Sequence, residues 1–395
     1  MIGKCLKAAS WARSYTALLL RWPLRAAPPE EAAAKRILVL GYAAVGDRYG
    51  VTEELLPTSG LADEVWLYEH AELAQLGFRR DIFRRIRAAR FDAVVVSHAT
   101  PLRAFAQPIL KIPLRVGQCR PLKAPHAGWS WPRYTLWRLK RGIISGEFER
   151  RLALNRPVWL EEGKEHAVRR NLRLIEALGG EEAAREALAN RPEIPERASD
   201  RAFAERVLAP CSGRRIVGLH LGTAESAQDP YKKIWPAAKW ARVCKELLRS
   251  QPCSFVVFGG PSEAESLGLF RSVFTEPFID LVGRASLMET LATIRRCQAF
   301  LGCDTGPAKA AMALGVPTFS VWGPSSRIDN GVFWDPELHR EVQLDLPCSP
   351  CIQMALPSEG SGVINFNSCG HRDCLSRMTP EIVLEALDEW LSSRK

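Results

Sequence analysis

Asp304-Thr305-Gly306-Pro307 ends an apolar run and opens a stretch of small residues, Ala308 to Leu314. A helix that begins there leaves its first N–H groups without intrahelical partners, which makes its start an anion site, and Gly306 lets a ligand approach the backbone closely. The carboxylate has two readings: Asp304 either binds sugar hydroxyls or caps the helix. Gly222-Thr223 follows another apolar run, Ile216 to His220, and the segment beyond it reaches Tyr231-Lys232-Lys233-Ile234-Trp235-Pro236 ahead of a second helical stretch. A hydroxyl, backbone amides and a lysine near one helix start hold a pyrophosphate, or else they form a solvated basic loop. Gly259-Gly260-Pro261, with Glu263 two residues on, sets a carboxylate where ribose hydroxyls can donate to it, although Gly-Gly-Pro alone is ordinary turn chemistry.

Sulfur forms a second constellation. Cys348-Ser349-Pro350-Cys351 is followed by Cys369 and Cys374, with His371 between the latter two. A C-x2-C pair and two more distant thiols suit a tetrahedral structural Zn2+; free thiols and a disulfide are the other readings, and His371 reads as a loop residue rather than a ligand. Of the 11 cysteines, the remaining seven are scattered singly through apolar or helical surroundings, the pattern of reduced structural thiols and hence of a reducing compartment.

The elements that must carry these residues alternate strand and helix. Arg36 to Leu40, Glu64 to Tyr68, Asp92 to Ser97 and Leu114 to Gly117 read as strands of one parallel sheet, with a basic helix ahead of the third. Ile216 to His220, Ser254 to Phe258, Ala299 to Gly302 and Thr318 to Trp322 read as strands of another, separated by helices such as Ala237 to Leu248. A chain of 395 residues is long enough for two cores. The expectation is an α/β protein of two Rossmann-like doubly wound domains facing a cleft, residues 35–200 and 201–395, behind a basic leader at 1–34 and with a Cys-rich loop at 346–376. A dehydrogenase is disfavoured, because no G-x-G-x-x-G turn follows the first strand. The leader's apolar run, Tyr15 to Leu20, is too short to span a bilayer and lacks a cleavage pattern, which leaves an interfacial basic helix or a flexible leader.

A formal charge of +10 favours an anionic partner: nucleic acid, an acidic membrane surface, or a substrate rich in phosphate and carboxylate. The excess gathers at Arg79, Arg80, Arg84, Arg85, Arg87 and Arg90 and again at Arg133, Arg138, Lys140 and Arg141. Solvated helix faces are the bland alternative. RNA binding calls for aromatic platforms among the basic residues, and only Trp129, Trp131 and Trp137 qualify, so nucleic acid is disfavoured.

The segments GLHLGT, KIWP, FGGPSE, GRASLMETLATI and GCDTGPAKAAMALGVPTFSVWGPSS, in that order, resemble the ADP-heptose lipopolysaccharide heptosyltransferases, glycosyltransferase family nine. RILVLGYAAVGD is similar to the family's opening strand and Gly-Asp turn, so the likeness runs over roughly residues 35 to 390. It implies a GT-B fold, with nucleotide sugar on the C-terminal domain and acceptor on the N-terminal one. By that resemblance Thr223 and Lys233 contact the diphosphate, Glu263 the ribose, and the backbone near Ala285 the adenine. Asp304, Thr305 and Gly306 hold the sugar and phosphates, and Asp47 is the general base of an inverting transfer. No cofactor is required for that chemistry. The implied partners are ADP-heptose and an anionic lipid-linked saccharide, at the cytoplasmic face of an inner membrane that the protein contacts peripherally.

This chain departs from the family pattern in three places. Lys309 stands where the family commonly has His, serving the same phosphates or marking a changed donor. Arg48, Tyr49, Gly50 and Thr52 follow Asp47 in place of an apolar helix, and the loop from Thr223 to Lys233 is long. Two further readings stay open: a related GT-B transferase with another nucleotide sugar or acceptor, and a catalytically silent nucleotide-sugar or glycan-binding protein.

Overall fold

The computed structural model describes residues 36–42, 64–68, 76–96, 109, 111–119, 153–159, 165–222, 233–351, 369 and 371–394. Asp47, Thr223, the leader at 1–34 and the tryptophans Trp129, Trp131 and Trp137 lie outside them. The chain divides into two units, residues 1–165 with 169–188 and residues 166–168 with 189–395.

In the first unit five strands are described: β1 (Ile37–Tyr42), β2 (Glu64–Tyr68), β3 (Ala93–Val96), β4 (Leu114–Cys119) and β5 (Arg156–Trp159). They pair in the order β2-β1-β3-β4-β5, every pair parallel. Parallel strands are covered on both faces, which is why β3 is an unbroken Ala-Val-Val-Val run and is buried throughout. Helix α1 (Leu76–Ala89) precedes β3 and turns Ile82 and Ile86 inward, leaving Arg80, Arg84, Arg85 and Arg87 exposed. Helices α2 (Ala167–Glu176) and α3 (Glu181–Ala189) follow β5.

The second unit opens with α4 (Ala198–Leu208) and continues as β6 (Arg215–His220), α5 (Ala237–Ser250), β7 (Cys253–Phe258), α6 (Ala264–Val273), β8 (Ile279–Asp280), α7 (Leu287–Ile294), β9 (Ala299–Cys303), α8 (Gly306–Ala313), β10 (Thr318–Trp322), α9 (Arg327–Asn330), β11 (Arg340–Gln343), α10 (Asp373–Ser376) and α11 (Pro380–Ser392). Its strand order is β11-β10-β9-β6-β7-β8, all parallel. Read from β8 this is the order 3-2-1-4-5-6 of a dinucleotide-binding sheet, and the direction of winding reverses between β6 and β9. Each unit is thus a doubly wound parallel sheet, and the pair belongs to the GT-B class.

Close packing fixes the central strand of that second sheet. Phe258 and Phe300 sit with ring centroids 5.8 Å apart, and a Cβ on Gly218 would stand 2.6 Å from Phe300 and 3.1 Å from Phe258. Only glycine fits between those rings. On the other face Trp235 and Trp240 meet edge to face at 4.9 Å, and the Trp235 indole N–H donates to the Met378 carbonyl at 2.8 Å. Helix α7 begins with a reciprocal capping box between Ser286 and Glu289.

Candidate functional site

The reversal between β6 and β9 brings their carboxyl ends side by side, and open α/β sheets bind ligands at such a point. His220 closes β6, and Asp304 and Thr305 follow β9. Thr305 is the N-cap of α8, with extended backbone and no side-chain cap bond, and Gly306 is the first helical residue. A Cβ on Gly306 would meet nothing within 4 Å, so there is open space in front of the helix start.

Asp304 does not cap the helix. Its carboxylate is buried and takes one ammonium on each oxygen, Lys233 on Oδ2 at 3.1 Å and Lys309 on Oδ1 at 3.3 Å. Burial on its own would push this carboxyl upward; Lys309 and Lys233 outweigh it, and the acid is held below the ordinary carboxylate range. Two turns of chemistry that looked separate in sequence are therefore one ion cluster.

Lys309 is committed to protein contacts on several sides. Besides Asp304 it donates to the Asn330 carbonyl, and its ammonium lies 4.1 Å above the centre of the Trp322 ring. Burial lowers its pKa, with Asp304 and the nearby Glu341 acting in the opposite direction. Glu341 in turn is raised by burial against the pull of Lys309 and Arg327. The expectation that Lys309 serves phosphates with a fixed charge gains a counterpart here: the same ammonium braces Asp304 and the end of α9.

Lys233 is followed by Ile234, whose side chain packs against Gly222 at the end of β6. Gly222 has φ +83°, and a Cβ there would lie 2.5 Å from the Ile234 side chain, so glycine is required by both backbone and space. Past Lys233 the Trp235 N–H points at the Cys303 sulfur, 3.3 Å away. Helix α5 is anchored further by Lys239, whose ammonium donates to the carbonyls of Leu375, Ser376 and Met378.

Glu263 is buried behind β7, where Ser262 donates its hydroxyl to Oε2 at 3.0 Å. Its Oε1 lies 3.9 Å from Nε2 of His220, and Nδ1 of the same ring is 3.0 Å from the Thr305 hydroxyl. Burial holds the His220 pKa down at about 4, so the ring is neutral and this contact is not an ion pair. Ala285, half-buried, follows Gly283, whose N–H donates to the Gly259 carbonyl at 2.8 Å; the stretch assigned to adenine thus adjoins the Gly259-Gly260 turn.

Lys233 and Lys309 meet on Asp304, and His220 lies between Glu263 and Thr305, with Gly306 at the helix start beside them. Sequence reasoning passed over His220, Trp322 and Glu341. A histidine ending an apolar strand one residue before Leu221-Gly222 was the available signal for the first.

The chain matches the sequence profile of Glycosyltransferase family 9 (heptosyltransferase) over residues 137–360. It belongs to that family. Among relatives of this family-9 chain, lipooligosaccharide heptosyltransferase 2 of Campylobacter jejuni is 27% identical over 178 residues, 44% of this chain and 50% of that protein. Lipopolysaccharide heptosyltransferase 1 of Pseudomonas aeruginosa is 26% identical over 163 residues, 40% of this chain and 44% of that one. The chain thus spans about half the length of the curated relatives it matches. In fold it is similar to a glycosyl transferase family 9 structure from Veillonella parvula, with a TM-score of 0.67, 18% identity and coverage of 93% of this chain and 100% of the other. Heptosyltransferase II of E. coli gives 0.60 at 19% identity, covering 91% and 99%.

The described cysteines of the family-9 chain fall into two groups. Cys119, Cys211, Cys244, Cys253, Cys297 and Cys303 are buried, and burial lifts Cys303 to about 12, which leaves it an unreactive thiol. Cys348, Cys351, Cys369 and Cys374 are neighbours: Cys374 is raised by burial and by the other three to about 11, and Cys351 by burial, Cys348 and Cys369. No disulfide joins any described cysteine, and among the described residues no three His, Cys, Asp or Glu side chains are arranged to hold a metal ion. His371 is exposed and accepts from the Asp373 N–H at 3.2 Å.

Proposed function

We propose that the protein is an inverting, metal-independent glycosyltransferase that moves heptose from ADP-heptose to an anionic, lipid-linked saccharide of the lipopolysaccharide core. The observation that carries this reading is the cluster of Lys233, Asp304 and Thr305 at the start of α8, at the winding reversal of a dinucleotide-type sheet.

In this reading Asp47 takes the proton of the acceptor hydroxyl. The oxygen attacks the anomeric carbon, the bond from that carbon to the β-phosphate oxygen breaks, and ADP departs. Lys233, Thr223 and the unpaired N–H groups at the start of α8 stabilise the departing diphosphate, which is the task a divalent cation performs elsewhere. Glu263 accepts from the ribose and the backbone at Ala285 meets the adenine.

The exposed arginines of α1 support an anionic acceptor and peripheral contact with the inner membrane from the cytoplasmic side, since Arg80, Arg84 and Arg87 fall on one helix face at i, i+4 and i+7. Among the described residues no helix is long and apolar enough to cross a membrane. The four clustered cysteines take a structural part away from the transfer chemistry, either as free thiols or as ligands of one Zn2+.

Calorimetric titration with ADP, UDP, GDP and CMP tests the donor. Selective ADP binding that Lys233→Ala and Asp304→Ala both abolish is the expected result, followed by loss of turnover but not of ADP binding in Asp47→Asn. Preference for another nucleotide moves the reading to a different donor, the alternative that Lys309 in place of His favours. Binding of none of the four overturns the enzyme reading in favour of a silent fold.

A further inference from the structure

His220 is wedged between the two side chains that the donor reading sends to opposite ends of one ligand, Glu263 for the ribose and Thr305 for the sugar and phosphates. The ring is 5% exposed and has one nitrogen towards each: Nε2 at 3.9 Å from Glu263 Oε1, Nδ1 at 3.0 Å from Thr305 Oγ1. A neutral imidazole carries one N–H and one lone pair, and its surroundings decide which nitrogen has which. At 3.9 Å the Glu263 carboxylate lies beyond hydrogen-bond length, but its negative charge favours the N–H on the nitrogen that faces it. Nδ1 is then an acceptor, and the Thr305 hydroxyl must donate to it. This bond, at 3.0 Å, outranks the 3.4 Å approach of the same hydroxyl to the Cys303 carbonyl.

A hydroxyl that has given its proton to His220 shows a ligand only lone pairs. Phosphate oxygens of a sugar nucleotide are acceptors as well, so the two cannot hydrogen-bond; a sugar hydroxyl, which donates, can. We infer that His220 is a positioning residue that turns the Thr305 side chain into a hydrogen-bond acceptor for a hydroxyl of the transferred sugar, leaving the diphosphate to the backbone N–H groups of α8 and to Lys233. Glu263 sets the polarity of the relay, and the sugar end of the donor is read through it. The inference rests on the donor-site reading above.

The tautomer is directly measurable in the intact 395-residue chain. The chain holds 7 histidines, so 15N-histidine labelling with the His220→Asn variant as the assignment reference isolates this ring. A proton on Nε2 and a bare Nδ1 are expected; the opposite tautomer overturns the inference. Binding then tests its consequence. Thr305→Val should leave ADP affinity within about threefold while weakening the intact sugar nucleotide roughly tenfold, the usual cost of one lost hydrogen bond. In the His220→Leu background Thr305→Val should cost nothing further, because the polarity it removes is already gone. His220→Asn, which keeps an acceptor near the Nδ1 position, should restore most of the sugar-nucleotide affinity, and it guards against a Leu variant that fails to fold. Equal weakening of ADP and sugar nucleotide by Thr305→Val, or additive effects of the two substitutions, overturns the inference while the donor reading stands. Failure of the unaltered protein to bind ADP overturns both.

Discussion

Lys233 and Asp304 are 71 residues apart in the chain, and a charge-assisted hydrogen bond of 3.1 Å joins them across the start of α8. Lys309 occupies the other carboxylate oxygen, so Asp304 balances two cations in a partly buried setting. Removing a buried ionic partner costs about 3 to 5 kcal/mol, because the groups left behind stay charged and unpaired. Asp304→Ala should therefore lower the unfolding free energy measured in urea by an amount in that range as well as abolish nucleotide binding. Asp304→Asn, which keeps the shape, should lose less. A fully stable Asp304→Ala protein would show that the cluster is solvated rather than structural.

Gly222→Ala is expected to cost about 1 to 3 kcal/mol, from the unfavourable positive φ and from the clash with Ile234. Since Ile234 follows Lys233 directly, ADP affinity should fall together with stability, by roughly tenfold. Chemical denaturation and calorimetry on one preparation check both.

Acid should weaken the fold through two histidines. Burial pulls both His220 and His339 down to about 4, whereas an unfolded histidine titrates near ~6.5. Between those values the unfolded chain binds protons that the folded one refuses, so stability is complete above pH 6.5 and is lost as pH falls towards 4. The loss is on the order of 3 kcal/mol for each ring. Neither ring nitrogen of His339 has a hydrogen-bond partner, so His339→Phe should remove one share of the loss and cost little at pH 7. Urea midpoints at pH 7 and pH 4.5, with and without the substitution, measure it.

If Cys348, Cys351, Cys369 and Cys374 hold zinc rather than remain free thiols, one metal per chain should appear in protein purified under reducing conditions. Chelation should lower the melting temperature by about 5 °C and leave the turnover of the surviving folded fraction unchanged. Cys351→Ser should purify without metal. Metal-free native protein with the same melting temperature would leave the four as plain thiols.

The apolar strands were the legible part of this molecule. Val94 to Val96 and Phe300 to Leu301 sit in runs that only a doubly covered sheet accommodates, and the turn after the second carries Asp304, Thr305 and Gly306. Strands β8 and β11 were not legible, because Ile279-Asp280 and Arg340-Glu341-Val342-Gln343 are short, polar edge strands whose pairing comes from their neighbours. The same holds in the site. Asp304 next to a helix start reads as a cap until the tertiary fold brings two lysines to it, and His220 on an apolar strand reads as core packing until Thr305 and Glu263 arrive on either side.

The Met378 carbonyl accepts from both the Trp235 indole and the Lys239 ammonium, which fastens the turn ahead of α11 to the first residues of α5. In the proposed function, nucleotide binding near Lys233 and the intactness of that turn should therefore be coupled. If ADP binds the proposed site, it should slow tryptic cleavage after Arg377, and a nick there should weaken ADP affinity. Cleavage at Arg377 would then report, from the turn ahead of α11, on a ligand held near the start of α8.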